Sequence, residues 1–190
     1  MNLDSKAILE VKFVITWILI ILNTLIFILQ HWFFNAEIFG LYFSLNLLFF
    51  KENFFWQLLS SMFLHGNFTH LALNMIVLFQ FGRILENYIG SVKFAFLYFV
   101  GGLVTSLLSA FYLLFAFEFL GQNIFLVGAS GAICVLMGFY AFLDRNSTKG
   151  LIVAILLMSF LPLFMGVNVA WYGHIFGFIS GYVLAFLRSR

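Results

Sequence analysis

Apolar residues fall in runs longer than a soluble core uses, and only short charged clusters interrupt them. The runs at 12–31, 66–84, 94–117, 127–143, 150–167 and 171–187 are each near or somewhat under the roughly 20 residues a helix needs to cross a bilayer. The pattern therefore predicts an all-α membrane protein with six crossing helices. The connection at 32–65 is too long for a simple turn. Its Phe33, Phe34, Phe39, Phe43, Phe49, Phe50, Phe54, Phe55 and Trp56 suggest a segment lying in the interface, where aromatic rings are favoured. An interfacial anchor without chemistry of its own would look the same. No repeat or low-complexity linker marks a second domain. The expected organisation is a cytoplasmic tail at 1–11 and a six-helix domain at 12–188, with 32–65 as its long external loop and no separate soluble domain. No cleavable signal is evident before the first run, so that span is expected to be retained.

Composition makes lipid the solvent. The chain is 64% apolar and 8% charged, with a mean hydropathy of +1.12, and a soluble core of that composition would have no surface left to wet. A net charge of +2 with no basic patch excludes a nucleic-acid partner. The single Cys134 excludes an internal disulfide. The cations set the orientation. Lys6, Lys12, Arg83, Lys93, Arg145, Lys149, Arg188 and Arg190 fall on the side of the N-terminus and only Lys51 on the other, which predicts cytoplasmic termini.

Those boundary charges also fix depth. Ser130 lies fourteen residues before Asp144, His174 fourteen before Arg188, and His70 thirteen before Arg83, with Asn74 one turn beyond His70. At about 1.5 Å per helical residue, all three segments bring polar groups to roughly 20 Å above that boundary. That depth is inside a core about 30 Å thick, in its external half. Polar groups there are costly and mark a functional site by default.

Ser130 and His174 are the natural pair, because a serine hydroxyl attacks only when a base takes its proton. The string Gly128-Ala129-Ser130-Gly131 alone is equally consistent with small residues packing helices. The preceding uncharged run contains Gly121, Gln122 and Asn123, so the fourth helix is expected to begin near Ser130, at membrane depth. Such a start is tolerable only in a wet cavity or buried in protein. Its free N–H groups favour an oxyanion, and His70 and Asn74, four apart on one face, could add donors. The sixth span carries Gly173, Gly177 and Gly181 around His174, a spacing that lets backbones approach. All seven acids, Asp4, Glu10, Glu37, Glu52, Glu86, Glu118 and Asp144, fall in tails, loops or span boundaries, which argues for a Ser-His dyad.

Three blocks then carry a resemblance: Phe63-Leu64-His65-Gly66-Asn67-Phe68-Thr69-His70-Leu71-Ala72-Leu73-Asn74, Gly128-Ala129-Ser130-Gly131, and His174-Ile175-Phe176-Gly177 with Gly181. In this order they resemble the signature blocks of rhomboid intramembrane serine proteases, over about residues 55–187. The resemblance implies a six-helix bundle in the bacterial inner (cell) membrane that cleaves transmembrane protein substrates near the external face. It implies Ser130 as nucleophile and His174 as general base. His70, Asn74 and the Ser130 backbone would hold the oxyanion, with Gly128, Gly131, Gly177, Gly181 and Cys134 structural near the site. No cofactor or metal is implied. Two positions depart from the family pattern. Trp56-Gln57 stands where Trp-Arg is common, leaving loop rigidity in question. Cys134 stands where a Tyr commonly stacks on the catalytic His, so either another aromatic holds His174, with Phe178 and Trp171 the candidates by spacing, or its ring is looser. His65 matches a common loop histidine and reads as structural. A metal site using His65, His70, His174 and Cys134 and a non-catalytic rhomboid-like binder of membrane proteins are the rival readings; the first lacks an H-E-x-x-H pattern and an acidic ligand at depth.

Overall fold

The computed structural model describes residues 13–164 and 169–189. The expected tail at 1–11 and the end of the fifth span at 165–167 lie outside them. Helices make up most of the described residues. Helix α1 (Val14–Ile28) continues through a π-helical stretch at Leu29–Phe33. Three short helices follow in the long connection: α2 (Ala36–Phe43), α3 (Leu48–Lys51) and α4 (Gln57–Ser60). Then come α5 (Phe68–Ile89), α6 (Ser91–Leu120), α7 (Ser130–Leu143), α8 (Thr148–Phe164) and α9 (Trp171–Arg188). Residues 14–33, 68–89 and 91–120 are helices long and apolar enough to cross a membrane; α7 and α8 are apolar but shorter.

Helix α7 is the centre of the bundle. Ala132 to Phe139 are buried without a break, so this helix is covered on every side, as its apolar sequence requires. The outer helix α1 is arranged inside out. Val14, Ile18, Ile21, Leu25 and Ile28 form an exposed apolar stripe, while Thr16, Asn23 and Gln30, seven apart, are buried. An apolar face outward with polar groups inward suits a helix whose solvent is hydrocarbon.

Helix α5 runs five residues beyond the expected end at 84, and the reason is Glu86. This carboxylate is buried and caps the start of α1, accepting from Ile15 N (2.9 Å), Thr16 N (2.8 Å) and Thr16 Oγ1 (2.8 Å). It also accepts from Ser91 Oγ at 2.6 Å. The residue preceding α1, Phe13, has no side-chain cap, so an acid from another helix satisfies the orphan N–H groups. Glu86 is therefore a tertiary cap joining α1, α5 and α6 rather than an exposed boundary charge. At the end of α7, Asp144 accepts from Asn146 N (3.1 Å) and from Ser147 Oγ, which turns the chain into α8. The Ser147 hydroxyl holds the Asp144 carboxyl below the usual carboxylate range.

The long connection is stitched internally, and Gln57 takes part in the stitching. Gln57 is fully buried. Its Nε2 donates to Leu41 O (3.2 Å) and Tyr42 O (3.3 Å), and its Oε1 accepts from Asn46 N (3.2 Å). Trp56 Nε1 also donates to Tyr42 O at 3.0 Å. An amide has a donor and an acceptor, so Gln57 bonds both directions of the backbone where an Arg could only donate.

Candidate active site

The segment leading to Ser130 is held extended by its neighbours. Helix α6 ends at Gly121 in the left-handed region (φ +65°), with Gly121 N donating to Phe117 O and Gln122 N to Ala116 O. Beyond it, Leu45 and Leu126 exchange both backbone hydrogen bonds, at 3.0 and 2.9 Å, and Gly128 N donates to Ser61 O at 2.9 Å. The long connection thus grips the approach to Ser130. Gly128 has φ +127°, and helix α7 begins two residues later with Ser130 itself. Its 14 residues span about 21 Å, less than a hydrocarbon core. The preceding Ala129 offers no side-chain acceptor, so the first N–H groups of α7 are not capped by the residue before the helix.

Ser130 Oγ lies 3.0 Å from Nε2 of His174, which sits in the first turn of α9. Both side chains are buried. The other ring nitrogen, Nδ1, lies 3.1 Å from Ser159 Oγ on α8. Among the described residues no carboxylate bonds His174. Sequence reading missed Ser159, although it stands fourteen residues after Arg145, the same interval that singled out Ser130 and His174.

His70 and Asn74 approach from α5. Asn67 caps that helix by accepting from His70 N at 2.8 Å, which starts the helix at the right place to present His70. The His70 ring lies directly on Gly128: a Cβ there would sit 2.8 Å from His70 Cε1, 2.9 Å from Nε2 and 3.6 Å from Ser130 Oγ. Glycine at 128 is thus required twice, for its φ and for the ring's approach. Asn74 is buried, and among the described residues its Nδ2 has no hydrogen-bond acceptor. His65 is also fully buried, with its ring edge against His70 at 5.1 Å between centroids. Its backbone pairs with the Gln30 amide at 3.2 and 3.3 Å. Among the described residues no group of three or more His, Cys, Asp or Glu side chains could hold a metal ion.

Helices α7 and α9 meet backbone to backbone. A Cβ at Gly177 would collide with the Gly131 carbonyl oxygen and lie 2.9 Å from Cys134 Cβ; one at Gly181 would collide with the Val135 carbonyl oxygen. Gly131 in turn faces Thr105 of α6, whose Cγ2 would be 3.0 Å from an added Cβ. These glycines set the distance between the helix starts that carry Ser130 and His174. Cys134 is fully buried at this contact. The expectation that Phe178 or Trp171 covers His174 is not met. Trp171 packs on Phe160, Tyr112 and Tyr172, and Phe178 has its backbone against Gly138. His174 is held by the Ser159 hydroxyl instead. Cys134→Tyr should therefore overpack the contact and destabilise by about 1–3 kcal/mol, with slower turnover, as thermal unfolding and kinetics of the variant would show.

A cavity of about 20 Å³ opens beside Ser130, lined by Met62, Thr105, Ser106, Ser109, Val127 and Gly173 among others. That volume holds a water molecule or a very small side chain.

Residues 52–190 match the Rhomboid domain. Curated relatives agree. "Putative rhomboid protease YdcA" of Bacillus subtilis is 32% identical over 139 residues, which cover 70% of this chain and 66% of that protein. RHOMBOID-like protein 4 of Arabidopsis thaliana is 35% identical over 140 residues, 70% of this chain and 34% of the relative. RHOMBOID-like protein 6, mitochondrial, of the same plant is 34% identical over 143 residues, 70% and 43% respectively. The aligned part thus spans about two thirds of the bacterial relative and well under half of the plant ones.

Proposed function

We propose that this chain, which belongs to the rhomboid family of membrane proteins, is an intramembrane serine endopeptidase that hydrolyses peptide bonds in or near transmembrane segments of other membrane proteins. The contact that carries this reading is Ser130 Oγ to His174 Nε2 at 3.0 Å, buried within a helical bundle of apolar exterior. The six apolar runs are then six crossings with both termini in the cytoplasm, and the reaction takes place toward the external face.

His174 Nε2 takes the Ser130 proton as Oγ forms a bond to the scissile carbonyl carbon, and the carbonyl π electrons move onto oxygen. The oxyanion is met by the free N–H groups at the start of α7 and by His70 and Asn74. It collapses as the C–N bond breaks, and the leaving amine takes the proton from His174. Water then attacks the acyl-enzyme by the same relay, releasing the new carboxyl terminus and restoring Ser130. Burial of Asn74 one helical turn beyond His70, whose ring lies against Gly128 and near Ser130 Oγ, supports its part in this scheme. An intact helix hides its carbonyls in its own hydrogen bonds, so the scissile stretch must unwind first.

A fluorophosphonate probe tests the reading against a client-binding protein without chemistry. The purified chain in lipid should be labelled at Ser130, label should vanish in Ser130→Ala, and a chelator should have no effect. An unlabelled wild-type chain that also leaves transmembrane reporters uncut would refute peptidase function. The oxyanion assignment makes its own prediction. Asn74→Ala or His70→Ala should each lower kcat roughly a hundredfold, since one donor is typically worth about 3 kcal/mol in the transition state. Probe access to Ser130 should remain, and wild-type turnover in both variants would show that backbone N–H groups suffice.

A further inference from the structure

We propose that Ser159 is a positioning residue for the reaction: its Oγ accepts the Nδ1–H of His174 and so keeps Nε2 free to take the Ser130 proton. The inference rests on the peptidase reading above and adds a third member on a third helix. Its ground is geometric. Ser159 Oγ lies 3.1 Å from Nδ1 while Nε2 lies 3.0 Å from Ser130 Oγ, so the imidazole is bonded at both ends along one line of side chains from α8 through α9 to α7.

Ser159 has no solvent-exposed surface. Polar side chains buried in apolar helices usually turn back on their own backbone, as Asn23, Thr24 and Thr105 do here by donating to the carbonyl four residues earlier. The Ser159 hydroxyl is instead directed to the ring of a different helix. Its direction matters because a neutral imidazole carries one proton on one of two nitrogens. Were Nε2 protonated, it could only donate to Ser130, and no base would face the nucleophile. A hydroxyl can donate or accept, so the proposed tautomer is the one in which it accepts at Nδ1; it then holds the ring in the orientation a triad carboxylate would, without burying a charge in the bilayer. When His174 takes the proton, the same contact becomes a bond from a cation and strengthens, so its effect falls on the transition state more than on binding. Among the described residues no carboxylate bonds this imidazole and no aromatic ring stacks on it.

The test uses the full chain in proteoliposomes with a transmembrane reporter substrate. Ser159→Ala should lower kcat about 10- to 100-fold, the range for a hydrogen bond to a charged group, with KM within about twofold. Ser159→Thr should retain most activity, and Ser159→Val, of the same shape without the hydroxyl, should fall to the level of Ala. Wild-type kcat in Ser159→Ala, or Thr as slow as Val, would overturn the assignment. Nitrogen-15 NMR of wild-type His174 needs no variant: the Nδ1-protonated tautomer is expected, and the Nε2-protonated one would overturn the proposal even if all three variants failed to fold. A wild-type chain that neither cleaves nor takes the serine probe would instead condemn the peptidase reading, leaving the tautomer measurement to judge Ser159 separately.

Discussion

Ser130→Ala and His174→Ala should each reduce cleavage of a transmembrane reporter by on the order of 10⁴-fold or more, and the double variant should be no slower than either single one. The non-additivity follows from the geometry. A hydroxyl and the base 3.0 Å from it act as one unit, so removing either half removes the whole. Stability should separate the two variants. Ser130→Ala takes a small group from the first position of α7, beside a cavity, and should fold nearly as wild type. His174→Ala leaves Ser159 Oγ buried without its partner, which costs about 1–3 kcal/mol. Cleavage measured over hours against empty vesicles, with thermal unfolding in the same lipid, checks both. Turnover above background in purified Ser130→Ala would remove Ser130 from the nucleophile role.

The sequence revealed what depends on depth and on small residues, because both are written in linear spacing. The interval from a boundary charge located Ser130, His174 and His70. The glycines four apart around His174 announced a backbone contact that the structure contains at Gly177 and Gly181. The start of α7 was legible because Gly121, Gln122 and Asn123 interrupt the apolar run. Side-chain direction was not legible. Glu86 reads as a charge closing a span, and only the packing of α1 against α5 turns it into a cap seventy residues from its partner Thr16. Gln57 reads as the absence of an Arg, whereas its amide engages both backbone donors and acceptors of the loop. Ser159 stands at the correct interval from Arg145 but resembles any serine in an apolar helix. What identifies it is the ring that meets it.

Gly177→Ala should cost more turnover than the same methyl one helical turn further along α9. The added Cβ would collide with the carbonyl oxygen of Gly131, the residue next to Ser130, and stand 2.9 Å from Cys134 Cβ. The first obstacle is backbone, so no rotamer change relieves it and the helices must move apart. Overpacking of this kind costs about 1–3 kcal/mol of stability. The catalytic cost is larger, because a displacement of about 1 Å between reacting groups can remove a factor of about 100 in rate, and this methyl pushes between the two helix starts that carry Ser130 and His174. Gly181→Ala makes a similar collision with the Val135 carbonyl, one turn further from the site. It should lose comparable stability but less kcat. Gly150→Ala is the control: it lies within α8 with nothing inside 4 Å of an added Cβ, and alanine's better helix propensity should leave it neutral or slightly stabilised. Ranking kcat and unfolding temperature for the three variants decides the matter. If Gly177→Ala loses stability yet keeps wild-type kcat, the spacing of α7 and α9 does not set the distance between Ser130 and His174, and their 3.0 Å contact must be maintained by α8 through Ser159.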